Sequence, residues 1–250
     1  MSSHRRLFLK RFAAGAAGAA ALGATPSILA ASSARNTPDS ANDTASTLDA
    51  ALRDEIASLD IEQQATPWDT SWTQRITGKH RAVFDAPELE GGSGVYRAAM
   101  WAGHYKSVLK LQDSDLSPVL VIRHAAIPLA MTHEFWEEYD VAKQNKIMHP
   151  MTGRKTTRNP VLMNAEVDGL SPGFARLALD KQIAAGTTVL ACNLALARMI
   201  SLVSSKHKVS AEEARRKALE GLVPGVILQP SGIFAVQMAQ ESGCKFIRAS

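Results

Sequence analysis

Hydrophobic positions along the chain change their period in a regular order. Leu48, Leu52, Ile56 and Leu59 recur at helical spacing, and Trp68 and Trp72 follow in an irregular stretch where they read as packing anchors. From Lys79 the pattern alternates between two kinds of run. His80–Asp85 is a short strand, and Gly91-Gly92-Ser93-Gly94 closes a connection that reads as flexible. Val95, Ala98, Ala99, Ala102, Tyr105, Val108 and Leu109 then mark one face of a long helix. Pro118–Arg123 is an unbroken apolar run, as expected of a strand buried on both faces of a parallel sheet. Phe135–Ala142 and Phe174–Ala185 read as helices, and the Lys143–Pro172 stretch between them as a lid, binding loop or insertion. Thr187–Cys192 is the next strand and Asn193 opens a helix. Ser210 opens another with capping-box spacing to Glu213. The strand Val226–Leu228, a helix from Ser231 to Glu241 and a terminal strand Lys245–Ile247 complete the pattern.

Strands alternating with helices predict an α/β fold. The expected form is a doubly wound, mainly parallel sheet of about five strands with helices on both faces. Right-handed crossovers would bring the C-terminal ends of the strands to one edge, where such sheets bind ligands.

The N-terminus carries a different signal. Arg5-Arg6-Leu7-Phe8-Leu9-Lys10 precedes an Ala- and Gly-rich apolar stretch from Phe12 to Leu29, with small residues from Ala30 to Ala34. That order is the one found in a twin-arginine export signal, so residues 1–34 are expected to engage the twin-arginine translocase and the remainder to work in the periplasm. Pro26 and the shortage of large apolar residues argue against a membrane anchor. The polar stretch 35–47 reads as a linker and 48–78 as a helical and irregular extension.

Charge changes the picture once the signal is set apart. Of 28 Lys and Arg residues, four lie within 1–34, and the remaining 24 equal the 24 Asp and Glu. The domain beyond the signal is formally neutral and offers no nucleic-acid footprint.

The expected sheet edge selects candidate chemistry. Arg123 and His124 end one strand. Cys192 ends another and starts a helix with Asn193, and Ser231 and Gly232 join a third strand to its helix. A thiol at a helix N-terminus faces the positive end of the helix dipole and free N–H groups, which favour its nucleophilic anionic form; a nearby Arg123 or His124 would favour it further. The alternative is a small buried residue closing a strand. Cys244 falls just before its strand, at the other edge. A strand of about five residues spans about 15 Å, beyond the reach of a disulfide at about 7 Å between Cα atoms, so no Cys192–Cys244 bond is expected. His124, His133 and His149 lack a metal-ligand spacing, and no dinucleotide fingerprint, P-loop or Gly-x-Ser-x-Gly elbow is present, so neither metal nor cofactor is expected.

The runs Gly186-Thr187-Thr188-Val189-Leu190-Ala191-Cys192-Asn193, Val223-Pro224-Gly225 through Pro230-Ser231-Gly232, and Ala239 through Ile247 together resemble the DsrE/DsrF-like family. The resemblance covers 79–250, interrupted by an insertion at 134–171. It implies an α/β domain that assembles into a homo-oligomer and, from sulfur-relay members, a persulfide carried on Cys192. On that reading His124 would stabilise the sulfur charge, Arg123, Asn193, Ser231 and Gly232 would line a site for a small sulfur ligand, and the insertion would cover it. A non-catalytic periplasmic binding or assembly subunit with a structural Cys192 is the other reading. A cofactor-dependent redox protein ranks behind both, for want of a cofactor motif.

Overall fold

The computed structural model describes residues 68–169 and 171–250. The signal expected over 1–34, the linker expected over 35–47 and the helix expected over Leu48–Leu59 lie outside the described residues.

Five parallel strands form one sheet: β1 (His80–Ala86), β2 (Leu116–Ile122), β3 (Thr188–Cys192), β4 (Ile227–Gln229) and β5 (Lys245–Arg248), in the order β4-β3-β2-β1-β5. Every residue of β2 and β3 is buried, which is why their sequences run apolar without alternation. The chain steps from β1 to β4 in one direction and then returns past β1 to place β5 on the other side. The fold is therefore a doubly wound α/β sheet.

The longer helices are α1 (Ser93–Leu109), α7 (Asn193–His207), α8 (Ala211–Glu220) and α9 (Gly232–Glu241). Short helices α2 (His133–Glu138), α3 (Val141–Gln144), α4 (Ala165–Asp168), α5 (Pro172–Ala175) and α6 (Leu179–Ala184) lie in the β2–β3 crossover. Alternation along the strands separates two cores. Ala82, Phe84, Leu120, Ile122, Val189 and Ala191 face the larger one, with α1, the crossover, α7 and α8. Val83, Val119, Val121 and Leu190 face the smaller one, closed by α9 and the tight turn Ser71–Arg75. Trp72 is fully buried there, so it is the packing anchor its sequence context suggested.

Several boundaries differ from the sequence reading, each for a local reason. The strand expected over Pro118–Arg123 begins two residues earlier, at Leu116, because Leu116 and Ser117 already pair with His80 and Arg81. Pro118 is tolerated where β2 has only β1 as neighbour; pairing with β3 starts at Val119. The helix expected over Phe135–Ala142 breaks at Asp140, which takes a left-handed conformation at φ 50°. The helix expected over Phe174–Ala185 breaks at Ala178, whose extended backbone turns Leu179 into the core, where its N–H donates to the Val161 carbonyl at 2.8 Å.

The glycine-rich turn is not a flexible connection. Gly92 has φ 93°, and a Cβ there would lie 2.2 Å from the Val161 side chain; one on Gly94 would lie 2.6 Å from the Ala86 Cβ. These glycines let α1 start directly against β1 and the crossover. Beside them, Ala249 and Ser250 fill the crevice between the C-terminal ends of β1 and β5: the Ala249 N–H donates to Asp85 O at 2.7 Å, and Ser250 Oγ accepts from the Glu88 N–H at 3.0 Å.

Nor is the 134–171 segment a loose lid. Phe135, Trp136, Tyr139, Val141 and Val161 are buried in the larger core. Trp136 Nε1 donates to Pro128 O at 2.6 Å, and Tyr96 donates from α1 to Pro160 O at 2.8 Å. Asn159 Nδ2 donates to the carbonyls of Leu129 and Met131 at 2.9 and 2.6 Å.

Candidate functional site

Sheet geometry brings four polar residues into one row at the C-terminal edge. Asp85 lies two residues beyond Val83 on β1, Arg123 two beyond Val121, Cys192 two beyond Leu190 and Gln229 two beyond Ile227. Val83, Val121 and Leu190 belong to the smaller core and Ile227 packs against it. Alternation therefore puts all four polar residues on the α9 side of the sheet. The register aligns them: Ile122 pairs with Ala191, so Arg123 neighbours Cys192, and Cys192 pairs with Gln229.

Arg123 is locked in this row. Its Nε and Nη2 donate to the two oxygens of Asp85 at 2.7 and 2.8 Å, a bidentate pair whose carboxylate side chain is 8% exposed. The Asp85 hydrogen bonds hold the guanidinium above its ordinary range against the opposing effect of partial burial. The neighbouring Asp85, Cys192 and Glu88 add to that. The first turn of α9 presses on the same side chain: a Cβ on Gly232 would lie 2.4 Å from Arg123 Cδ and 2.5 Å from its Cβ.

Cys192 is buried, 6% exposed, and free. It caps α7: its Sγ accepts a hydrogen bond from the Ala195 N–H at 3.4 Å. Its strand partner Gln229 is fully buried. Gln229 Nε2 donates to the carbonyls of Asp69 and Leu228, and its Oε1 has no partner among the described residues.

The remaining sequence candidates fall outside the row or hold structural roles within it. His124 follows Arg123, so alternation sends it to the other side of the sheet. It opens a 3-10 turn with φ 49°, is solvent-exposed, and makes no hydrogen bond or ion pair among the described residues. The cation delivered to Cys192 is thus Arg123, with no contact supporting the role expected of His124. Asn193 is buried and its Oδ1 accepts from Arg215 Nη2 at 2.9 Å, which ties α7 to α8. Ser231 caps α9, its Oγ accepting from the Phe234 N–H at 3.1 Å. Among the described residues the 134–171 segment forms no hydrogen bond with Asp85, Arg123 or Cys192, and its apolar side chains pack in the larger core instead of covering the site.

Two residues of the row went unassigned in the sequence reading. Asp85 ends the first expected strand, but its pairing with Arg123 needs the β1–β2 register. Gln229 had no signal beyond its place at a strand end. Cys244 precedes β5 at the opposite edge, also free; burial pushes its thiol from 9.0 up to about 11, opposed by the nearby Arg81 charge.

A further cavity lies away from this row. An open cavity of about 620 Å³ beside the crossover is lined by His133, Glu134, Arg158, Asp180 and Lys181. Its charges have partners within the protein: Arg158 lies 3.6 Å from Glu137 and Lys181 lies 3.3 Å from Asp180. Burial, aided by the Arg158 charge, lowers the pKa of His133. Among the described residues no three His, Cys, Asp or Glu side chains converge as metal ligands, and no helix is long and apolar enough to cross a membrane. Searches of protein-family models, curated proteins and solved structures find no match to this chain.

Proposed function

We propose that this protein is an exported, DsrE-like sulfur carrier that takes up and passes on sulfane sulfur at Cys192. The observation that carries the reading is the placement of the Cys192 thiol at the N-terminus of α7, one strand away from an arginine anchored by Asp85. The thiolate attacks the outer sulfur of a small donor RSSH. The donor's S–S bond breaks, RS⁻ leaves and takes up the thiol proton as RSH, and Cys192 keeps the persulfide. The exchange needs no external oxidant. Arg123 on the neighbouring strand and the N-terminus of α7 place positive charge beside the sulfur before and after transfer. At 6% exposure Cys192 suits a small donor rather than a bulky one. The paired arginines at Arg5 and Arg6 support work in the periplasm.

The hydrogen bond from the Ala195 N–H favours a second reading, in which Cys192 is only a helix cap in a binding or assembly subunit. Intact mass after exposure to polysulfide separates the two. The sulfur-carrier reading expects wild type to gain sulfur on Cys192, with Cys192→Ala losing the gain while Cys244 stays unmodified. Folded wild type that gains no sulfur leaves the capping role alone.

A further inference from the structure

At the opposite edge of the sheet from Cys192, α1 and the edge strand β5 leave an open cleft of about 440 Å³. That volume falls in the range of small-molecule sites. One wall is aromatic. Trp101 and Tyr105 lie 4.6 Å apart between ring centroids, His80 meets Tyr105 edge-on at 5.1 Å, and the core residue Phe84 meets Trp101 edge-on at 5.7 Å. Phe84 is buried, so this ladder is fixed to the sheet from below. Ala82 and Ile247 add apolar surface, and Lys79, Arg81 and Lys245 supply positive charge.

The cleft is one-sided in chemistry. No Asp or Glu lines it. Among the described residues the ammonium groups of Lys79 and Lys245 have no hydrogen-bond or ion-pair partner. Nor do the Trp101 indole N–H, the Tyr105 hydroxyl and the His80 ring nitrogens have a hydrogen-bond partner. Arg81 is already committed, its Nε to Gly78 O at 2.7 Å and its Nη1 to Ser242 O at 3.2 Å, which braces the cleft between β1 and the turn before β5. Beyond the signal the chain has balanced charge, so an acid-free cleft full of unanswered donors is a local imbalance. A ligand that brings acceptors and negative charge answers the donors. Only one with a flat apolar body covers the half-exposed rings.

We propose that the α1–β5 cleft binds a small planar aromatic anion, a ring system bearing a carboxylate, sulfonate or phosphate, with the ring against Trp101 and Tyr105 and the anionic group between Lys79 and Lys245. The site is separate from Cys192 and does not depend on the sulfur reading.

Calorimetric titration of the full chain with three probes tests this: 2-naphthalenesulfonate, the neutral 2-naphthalenemethanol, and inorganic sulfate. The sulfonate is expected to bind at least about tenfold more tightly than either of the others, because it alone answers both halves of the cleft. The double variant Lys79→Gln/Lys245→Gln, at two exposed positions where folding is not at stake, is expected to weaken it by about tenfold or more. In wild type the Trp101 indole N–H resonance should shift on binding, and Cys192→Ala should bind as wild type does. Sulfonate binding no tighter than sulfate or the alcohol, unchanged in the double variant, or leaving the Trp101 signal in place would overturn the proposal.

Discussion

Gly232 has no room for a methyl group, and the reason is Arg123. An alanine Cβ would sit 2.4 Å from Arg123 Cδ and 2.5 Å from its Cβ, the fixed base of the side chain rather than its mobile end. Gly232→Ala therefore pushes either α9 off the sheet or the guanidinium off Asp85. The expected cost is about 2–3 kcal/mol, part overpacking and part a weakened, largely buried ion pair. Urea unfolding of the variant measures it, and a change within about 0.5 kcal/mol of wild type would refute the contact argument. The sequence marked Gly232 as a site residue at a strand–helix junction. That its lack of a side chain serves to seat Arg123 is visible only once β2, β4 and α9 are in place. The same holds for His124. It adjoins Arg123 in sequence, but strand alternation puts the two side chains on opposite sides of the sheet.

Among the elements, the β2–β3 crossover departs most from the sequence reading. Its Gly, Pro and basic residues read as a lid, but its apolar residues occupy the larger core, and the segment is tied in by side chains bonded to backbone. Asn159 is the main tie: it is buried, donates to the carbonyls of Leu129 and Met131, and accepts from the Val161 N–H at 3.1 Å through Oδ1. Asn159→Ala leaves these groups unsatisfied away from water, with an expected loss of about 2–4 kcal/mol. Hydrogen exchange should locate the loss, with protection falling at Leu179, whose amide donates to Val161 O, before it falls in β1 and β2. Uniform loss across the sheet would show that the crossover has no stability of its own to lose. Composition could not disclose this, because a polar loop and a loop pinned by one buried asparagine contain the same residue types.

For the molecule as a whole, the two cores are unequal. One face of the sheet carries α1, the crossover, α7 and α8; the other is closed by α9 and the Trp72 turn. Cys244 belongs to the smaller core, where burial pushes its thiol from 9.0 to about 11. The native state thus holds that proton more tightly than the unfolded chain does. As pH rises from about 9 through about 11, the unfolded chain releases the proton first and the native state loses relative stability. Below that window the contribution is fully present. Urea unfolding across it should show wild type losing stability more steeply than Cys244→Ala; equal slopes would mean that the thiol is not shielded as its position requires.

The sequence alone determined the α/β class, the order of strands and helices and most helix starts, because these follow from local period and capping. Ser210 and Ser231, for example, cap α8 and α9 through their own side chains. It also placed Cys192 at the head of a helix. The tertiary structure decided which side chains meet. Register and alternation aligned Asp85, Arg123, Cys192 and Gln229 from four separate strands, turned His124 away, and set an aromatic wall beside Lys79 and Lys245 at the far edge. Period and capping act over a few neighbouring residues and can be read along the chain. Contacts between strands 30 to 40 residues apart, such as the 38 that separate Asp85 from Arg123, depend on a register that no local pattern records.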